Sequence, residues 1–224
     1  MIEPLFLTTS RVMTFEGDRL LTGASGFFFE RGTRLFFITS GHVLQDEPSG
    51  HRPDRIEIEL HIGGVDLTRS SSLSVWLFES GLSQWRQGSD TGGGIDVAAI
   101  EINRELLPAT AQIRYFTTAH LQLDLGQIRA GQDLLIVGFP LGFHDTMHHL
   151  PVVRHAVVAS AFGIRFQGAG YFLTDARTHR GMSGAPVVMR DFGGDAALPC
   201  RLLGVHSSRI DMGARDGTLD ESWA

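Results

Sequence analysis

The sequence predicts an all-β fold, either a sandwich or barrels, and three observations predict it. Short runs rich in Val, Ile, Leu and Phe recur along the chain, Gly, Pro and Asp separate them, and helical periodicity is scarce. Residues 26–30 and 34–39, joined by Arg31-Gly32-Thr33, read as a hairpin. Residues 55–62 alternate polar and apolar side chains, as a half-buried strand does. Residues 74–78 form the next candidate, and residues 95–102 follow a Gly-rich turn. Residues 103–112 read as a helical turn or a linker. The segment 80–94, rich in Gly, Ser and Gln, is expected to be an exposed loop.

The second half repeats this texture without an internal repeat. Candidate strands cover residues 133–139, 151–159, 170–174, 186–189 and 201–206. Polar residues gather around 105–125, which places the expected boundary between two units, 1–112 and 113–224. Phe27, Phe28, Phe29, Phe36 and Phe37 are expected in the core of the first. Residues 210–224 are polar and rich in Gly and Asp, so the second unit is expected to lack a final strand there.

Composition narrows the function classes. The chain has 224 residues, with 42% hydrophobic and 20% charged, an ordinary globular balance. The formal net charge of -6 and the lack of a basic stretch argue against a nucleic-acid partner. No apolar run reaches the length of a membrane-spanning helix. The N-terminus shows no basic segment before a long apolar core, and the single cysteine, Cys200, cannot form an internal disulfide. Both point to a reducing, cytoplasmic setting. Cys200 itself reads as a small packed residue. His144, His148 and His149 lie close together, but no further ligand set accompanies them, so a surface loop is expected rather than a metal site.

Three places carry acyl-transfer chemistry. A serine hydroxyl is a weak nucleophile. It needs a base, a partner that orients the base, and backbone donors for the oxyanion. Gly181-Met182-Ser183-Gly184-Ala185-Pro186 places glycines on both sides of Ser183, so the backbone can turn and present its amides. The amides of Gly181 and Ser183 are the candidate donors in the stretch Gly181, Met182 and Ser183; a Gly-rich hairpin turn with an idle serine is the alternative. His42 sits just past the apolar run Phe37-Ile38-Thr39, at a strand-to-turn junction where a structural histidine is also common. Asp96 leads into the apolar run Val97-Ala98-Ala99-Ile100, where a carboxylate is costly unless paired, or caps a turn at its edge. Asp90 is its nearest competitor.

In the order His, Asp, Ser these motifs resemble the bacterial trypsin-like peptidases of chymotrypsin fold, including the high-temperature-requirement proteases and the glutamyl endopeptidases. Residues 38–44 resemble the histidine motif, 96–100 the aspartate motif, and Thr174-Asp175-Ala176 with 181–187 the serine motif. Val137-Gly138-Phe139-Pro140-Leu141-Gly142 resembles a strand and turn of the second barrel. The resemblance spans residues 24–208. It implies two antiparallel six-stranded β-barrels with the active site in the cleft between them. It also implies a triad of His42, Asp96 and Ser183, a protein or peptide substrate, and no cofactor or metal. Residues 178–182 would reach their active shape unaided or with help from a ligand or an activating protein partner.

The resemblance also implies a specificity pocket built around the stretch before the serine and the strand after it. Glutamyl endopeptidases bind an acidic side chain with a threonine five residues before the serine and a histidine in a Gly-Ile-His strand. This sequence has Thr178 and Gly204-Val205-His206, with Arg177, Ser207 and Ser208 alongside. Cleavage after Glu, with Gln or Asp as further choices, is the expectation. The rival classes are a peptide-binding module on the same fold and a dormant protease switched on by a partner.

Overall fold

The computed structural model describes residues 2–211 and 220–223. The first sheet is built from β1 (Thr9–Glu16), β2 (Arg19–Arg31), β3 (Arg34–Thr39), β4 (Arg55–Ile62) and β5 (Ser70–Trp76), with a two-stranded ribbon, β6 (Phe78–Glu79) and β7 (Leu82–Ser83), beside it. β8 (Trp85–Asp90), β9 (Gly93–Ile102), β10 (Ala111–Gln112) and β11 (Phe116–Thr117) complete it. Its order is β10-β4-β1-β2-β3-β9-β8, with β5 on β4 and β11 parallel to β2. The expected hairpin is β2–β3, in register from Phe27–Ile38 to Arg31–Arg34, and Gly32 takes the turn at φ +64°. The alternation expected for β4 is present: Ile56, Ile58 and Leu60 are fully buried. They pack with Phe28, Phe37, Ile100 and Leu44 in the first core. One turn of helix, α1 (Gly41–Leu44), follows β3 and carries His42.

The second sheet contains β12 (Asp133–Gly138), β13 (Val152–Val158), β14 (Leu173–Ala176), β15 (Pro186–Arg190), β16 (Cys200–Val205), β17 (Arg209–Asp211) and β18 (Asp220–Trp223). Its order is β16-β15-β12-β13-β14-β18-β17. Its core contains Leu134, Ile136, Met182, Ala185 and Val187. A third cluster, with Phe27 from the first sheet and Val137, Val188 and Leu202 from the second, seals the two units together. The protein has the double β-barrel fold of chymotrypsin type, although neither strand ladder closes completely on itself. Among the described residues no helix is long and apolar enough to cross a membrane.

Two sequence expectations change, and the open choice at residues 103–112 is resolved. The segment 80–94 is no loop: β8 runs antiparallel to β9, and Thr91 and Gly92 make the turn. Its side chains are mostly exposed because it is an edge strand held by backbone bonds, which leave no apolar pattern to read. The second sheet does not end at β16, because β18 pairs with β14 and β17 with β18. The free edge of β14 supplies that register, whatever the local composition. Residues 103–112 resolve into a single 3-10 turn, Arg104–Leu106, capped by the Asn103 side chain, and then β10.

Candidate active site

His42 and Asp96 meet because β3 and β9 are paired neighbours, with Thr39 opposite Ala98. α1 then turns the chain back over β9. The Asp96 carboxylate holds this turn at two points. Oδ1 accepts from the His42 backbone N at 2.9 Å, and Oδ2 lies 2.7 Å from His42 Nδ1. Gly41 allows the approach, since a Cβ there would lie 3.0 Å from Asp96 Oδ1. Asp90, the competing carboxylate, is instead paired with Arg165.

A carboxylate can only accept at His42 Nδ1, so in the neutral ring the proton sits on Nδ1 and Nε2 keeps its lone pair. The Ser207 hydroxyl donates a second hydrogen bond to Asp96 Oδ2. Burial pushes the Asp96 carboxyl up. The hydrogen bonds from His42 and Ser207 and the nearby imidazole outweigh it and hold the group below its ordinary value. Ser207, expected beside the substrate, lines the larger cleft and also holds Asp96 through its side chain.

Ser183 stands in a loop between β14 and β15 that is tied down from behind. Its carbonyl accepts from the Ser25 amide at 2.8 Å, and the Gly181 carbonyl accepts from Ser25 Oγ at 2.8 Å. The same Ser25 Oγ accepts from the Phe139 amide at 2.8 Å, and the Arg180 carbonyl accepts from the Leu141 amide at 2.7 Å. Gly181 (φ +94°) and Gly184 (φ +87°) adopt left-handed backbone, and neither has room for a side chain. A Cβ on Gly184 would sit 2.1 Å from Ser25 O, and one on Gly181 2.5 Å from Phe139 O. With the carbonyls turned away, the amides of Gly181 and Ser183 have no acceptor among the described residues. Met182 differs from the expectation for this stretch. Its amide donates to His179 O at 3.2 Å, and its buried side chain fills the second core.

The His42 turn and the Ser183 loop are coupled at the His206 carbonyl. It accepts from Gly184 N at 2.7 Å and from Ser40 Oγ at 3.1 Å. His42 and Ser183 line one cleft of about 290 Å³, together with Leu141, Arg180, Gly181 and His51. Among the described residues Ser183 Oγ has no hydrogen-bond partner. On the other side of His42 a cleft of about 570 Å³ is lined by Ile95, Asp96, Val97, Tyr171, Val205, Ser207 and Ser208.

Thr178 and His206 are both buried and line neither of these two clefts. Arg177 is exposed, and its carbonyl accepts from Arg154 Nε at 2.8 Å. The sequence reading missed Ser25 and Ser40. Both are fully buried serines, and only their non-local partners reveal a role. It also missed Tyr171 and Leu141, whose position on the cleft depends on how the sheets meet.

The fold that brings these residues together is of chymotrypsin type. A family model described as a trypsin-like peptidase domain matches residues 24–193, and the chain belongs to that family. Among solved structures, the serine endoprotease from Yersinia pestis is similar in fold at a TM-score of 0.56 and 15% sequence identity. That comparison covers 98% of this chain and 58% of the Yersinia chain, so this chain spans little more than half of that protein. The search of curated proteins found no match.

Proposed function

We propose that the protein hydrolyses internal peptide bonds through a triad of Ser183, His42 and Asp96. The observation that carries the reading is the two-point grip of Asp96 on His42, which leaves Nε2 as the basic atom in the cleft shared with Ser183. In the reaction Ser183 Oγ attacks the scissile carbonyl as His42 Nε2 takes its proton. The oxyanion gathers hydrogen bonds from the Gly181 and Ser183 amides, which have no other acceptor among the described residues. The imidazolium returns its proton to the leaving nitrogen, the C–N bond breaks, and an ester to Ser183 remains. Water, deprotonated by His42, then releases the acid. Asp96 orients the ring and stabilises its cation throughout.

For the residue before the scissile bond we propose an acidic side chain, with Glu preferred. The reading rests on the sequence positions of Thr178, five residues before Ser183, and His206, whose buried side chains a bound substrate would have to reach, with Arg177 on the same stretch. Covalent labelling by a fluorophosphonate tests the triad. Wild type labels and Ser183→Ala does not. A peptide library then reads the pocket, and fastest turnover after Arg, Lys or Phe would count against the acidic preference.

A second reading rests on the Ser183 hydroxyl, which has no hydrogen-bond partner among the described residues: the resting enzyme is completed by substrate or by an activating protein partner. Catalytic hydrogen bonds commonly tighten when substrate binds. Labelling that rises on adding a peptide substrate supports completion by substrate. Labelling that appears solely with a partner protein supports the dormant form.

A further inference from the structure

The peptide units from Arg180 to Gly184 carry Ser183, and each is fixed by hydrogen bonds. Arg180 O accepts from the Leu141 amide at 2.7 Å. The next unit is held at both ends: Gly181 O accepts from Ser25 Oγ at 2.8 Å, and the Met182 amide donates to His179 O at 3.2 Å. Met182 O accepts from the Ala185 amide at 2.9 Å. The last unit is again held at both ends, with Ser183 O on the Ser25 amide at 2.8 Å and the Gly184 amide on His206 O at 2.7 Å. The Gly181 and Ser183 amides are left without an acceptor among the described residues. Both belong to units whose carbonyl is bound, and in a trans peptide the N–H points opposite to that carbonyl. Each free amide is therefore aimed by the partner of the preceding carbonyl.

Ser25 reaches this loop from the first sheet. It is fully buried, and its amide, its carbonyl and both roles of its hydroxyl are all used at 2.8 Å. The hydroxyl donates to Gly181 O and accepts from the Phe139 amide, two residues before Leu141. One oxygen thus ties the Gly181 unit to the stretch that also holds Arg180 O. The tie matters because Gly181 sits at φ +94°, a conformation that a glycine leaves as readily as it enters. Gly181 and Phe139 are both buried, so loss of the hydroxyl strands a carbonyl and an amide away from water. Rotation at Gly181 relieves the carbonyl, and it swings the Gly181 N–H off its line.

We propose that Ser25 is a positioning residue for the oxyanion hole, and that its hydroxyl, spanning Gly181 O and Phe139 N, keeps the Gly181 amide aimed at the charge that develops in the transition state. The role rests on the hydrolytic reading above. It adds to that reading a residue that lies outside the triad and lines neither cleft. Loss of one donor from an oxyanion hole lowers kcat by about 10²- to 10³-fold, which sets the size of the effect.

The test compares wild type with Ser25→Ala and with Ser25→Cys, which keeps a side chain of similar size but hydrogen-bonds weakly. Each variant is measured below its own unfolding transition. In both, kcat for a peptide substrate falls about 10²- to 10³-fold while KM changes little. Affinity for a peptide boronic acid, whose tetrahedral adduct with Ser183 Oγ places an oxygen in the hole, falls by a comparable factor. The parent peptide binds Ser183→Ala and Ser25→Ala/Ser183→Ala protein about equally, because binding before reaction draws little on the hole. The pH–rate profile keeps its shape, since the Ser25 side chain contacts neither His42 nor Asp96. A wild-type kcat in Ser25→Ala overturns the proposal. A wild-type kcat in Ser25→Cys also overturns it, because packing and not hydrogen bonding would then carry the role. Equal losses of peptide and boronic acid affinity overturn it too, as the mark of a purely structural residue. Failure of wild type to label with the fluorophosphonate would instead sink the hydrolytic reading, and this role with it.

Discussion

Asp96 shows how one side chain joins sequence, fold and chemistry. A carboxylate at the head of an apolar strand is costly unless paired, and here three donors pair it: the His42 amide, the His42 ring and Ser207 Oγ. Replacement by Asn keeps the shape, but its amide NH₂ can donate to Nδ1 and so places the imidazole proton on Nε2. Asp96→Asn is expected to lower kcat by about 10⁴-fold, measured by steady-state hydrolysis. The same group contributes to stability. Its folded pKa lies below the unfolded one, so this contribution is fully present above the ordinary carboxylate range and is lost as pH falls through the folded value. Tm measured against pH should therefore fall more steeply in acid for wild type than for Asp96→Asn. Parallel curves would show that Asp96 carries no such linkage.

At the scale of elements, the loop between β14 and β15 depends on two glycines and on Ser25 behind them. Gly184 combines a left-handed backbone with a Cβ position 2.1 Å from Ser25 O, so Gly184→Ala must displace the loop or β2. Fluorophosphonate labelling is expected to be lost, while far-UV circular dichroism keeps its β signature. Retained labelling at the wild-type rate would show that the loop tolerates the shift. Legibility in the sequence differed by element for a physical reason. β4 and the β2–β3 hairpin bury one face and so wrote an alternating or apolar pattern. β8 and the β17–β18 hairpin are held by backbone pairing at sheet edges, which any side chain permits.

The residues proposed for the reaction are divided between two sheets, and the seam between those sheets is packed. Phe27 of β2 meets Phe116 edge-on, with ring centroids 5.4 Å apart, and shares its cluster with Val137 and Val188 of the second sheet. Truncating a buried Phe costs about 3–5 kcal/mol. Phe27→Ala is expected to lower stability by that amount in urea unfolding, and activity should fall in step at moderate denaturant. A stability loss confined to one sheet, with labelling preserved, would show that the seam is not shared. Ser25 and Ser40 cross the same seam with hydrogen bonds to the Ser183 loop and to His206 O. The Arg165–Asp90 ion pair links the two sheets as well.

The sequence by itself determined the all-β class, the β2–β3 hairpin, the inward face of β4 and the three motifs at His42, Asp96 and Ser183. These are local facts, because apolar period, glycine placement and the residues flanking a reactive side chain are all readable along the chain. Only the tertiary structure decided that Asp96 rather than Asp90 meets His42, that Ser207 serves Asp96, that Met182 is a core residue with its amide spent, and that the β14 edge takes up the C-terminal hairpin. Each depends on which strands become neighbours, and sheet order is set by contacts between residues far apart in the chain, which no local pattern records.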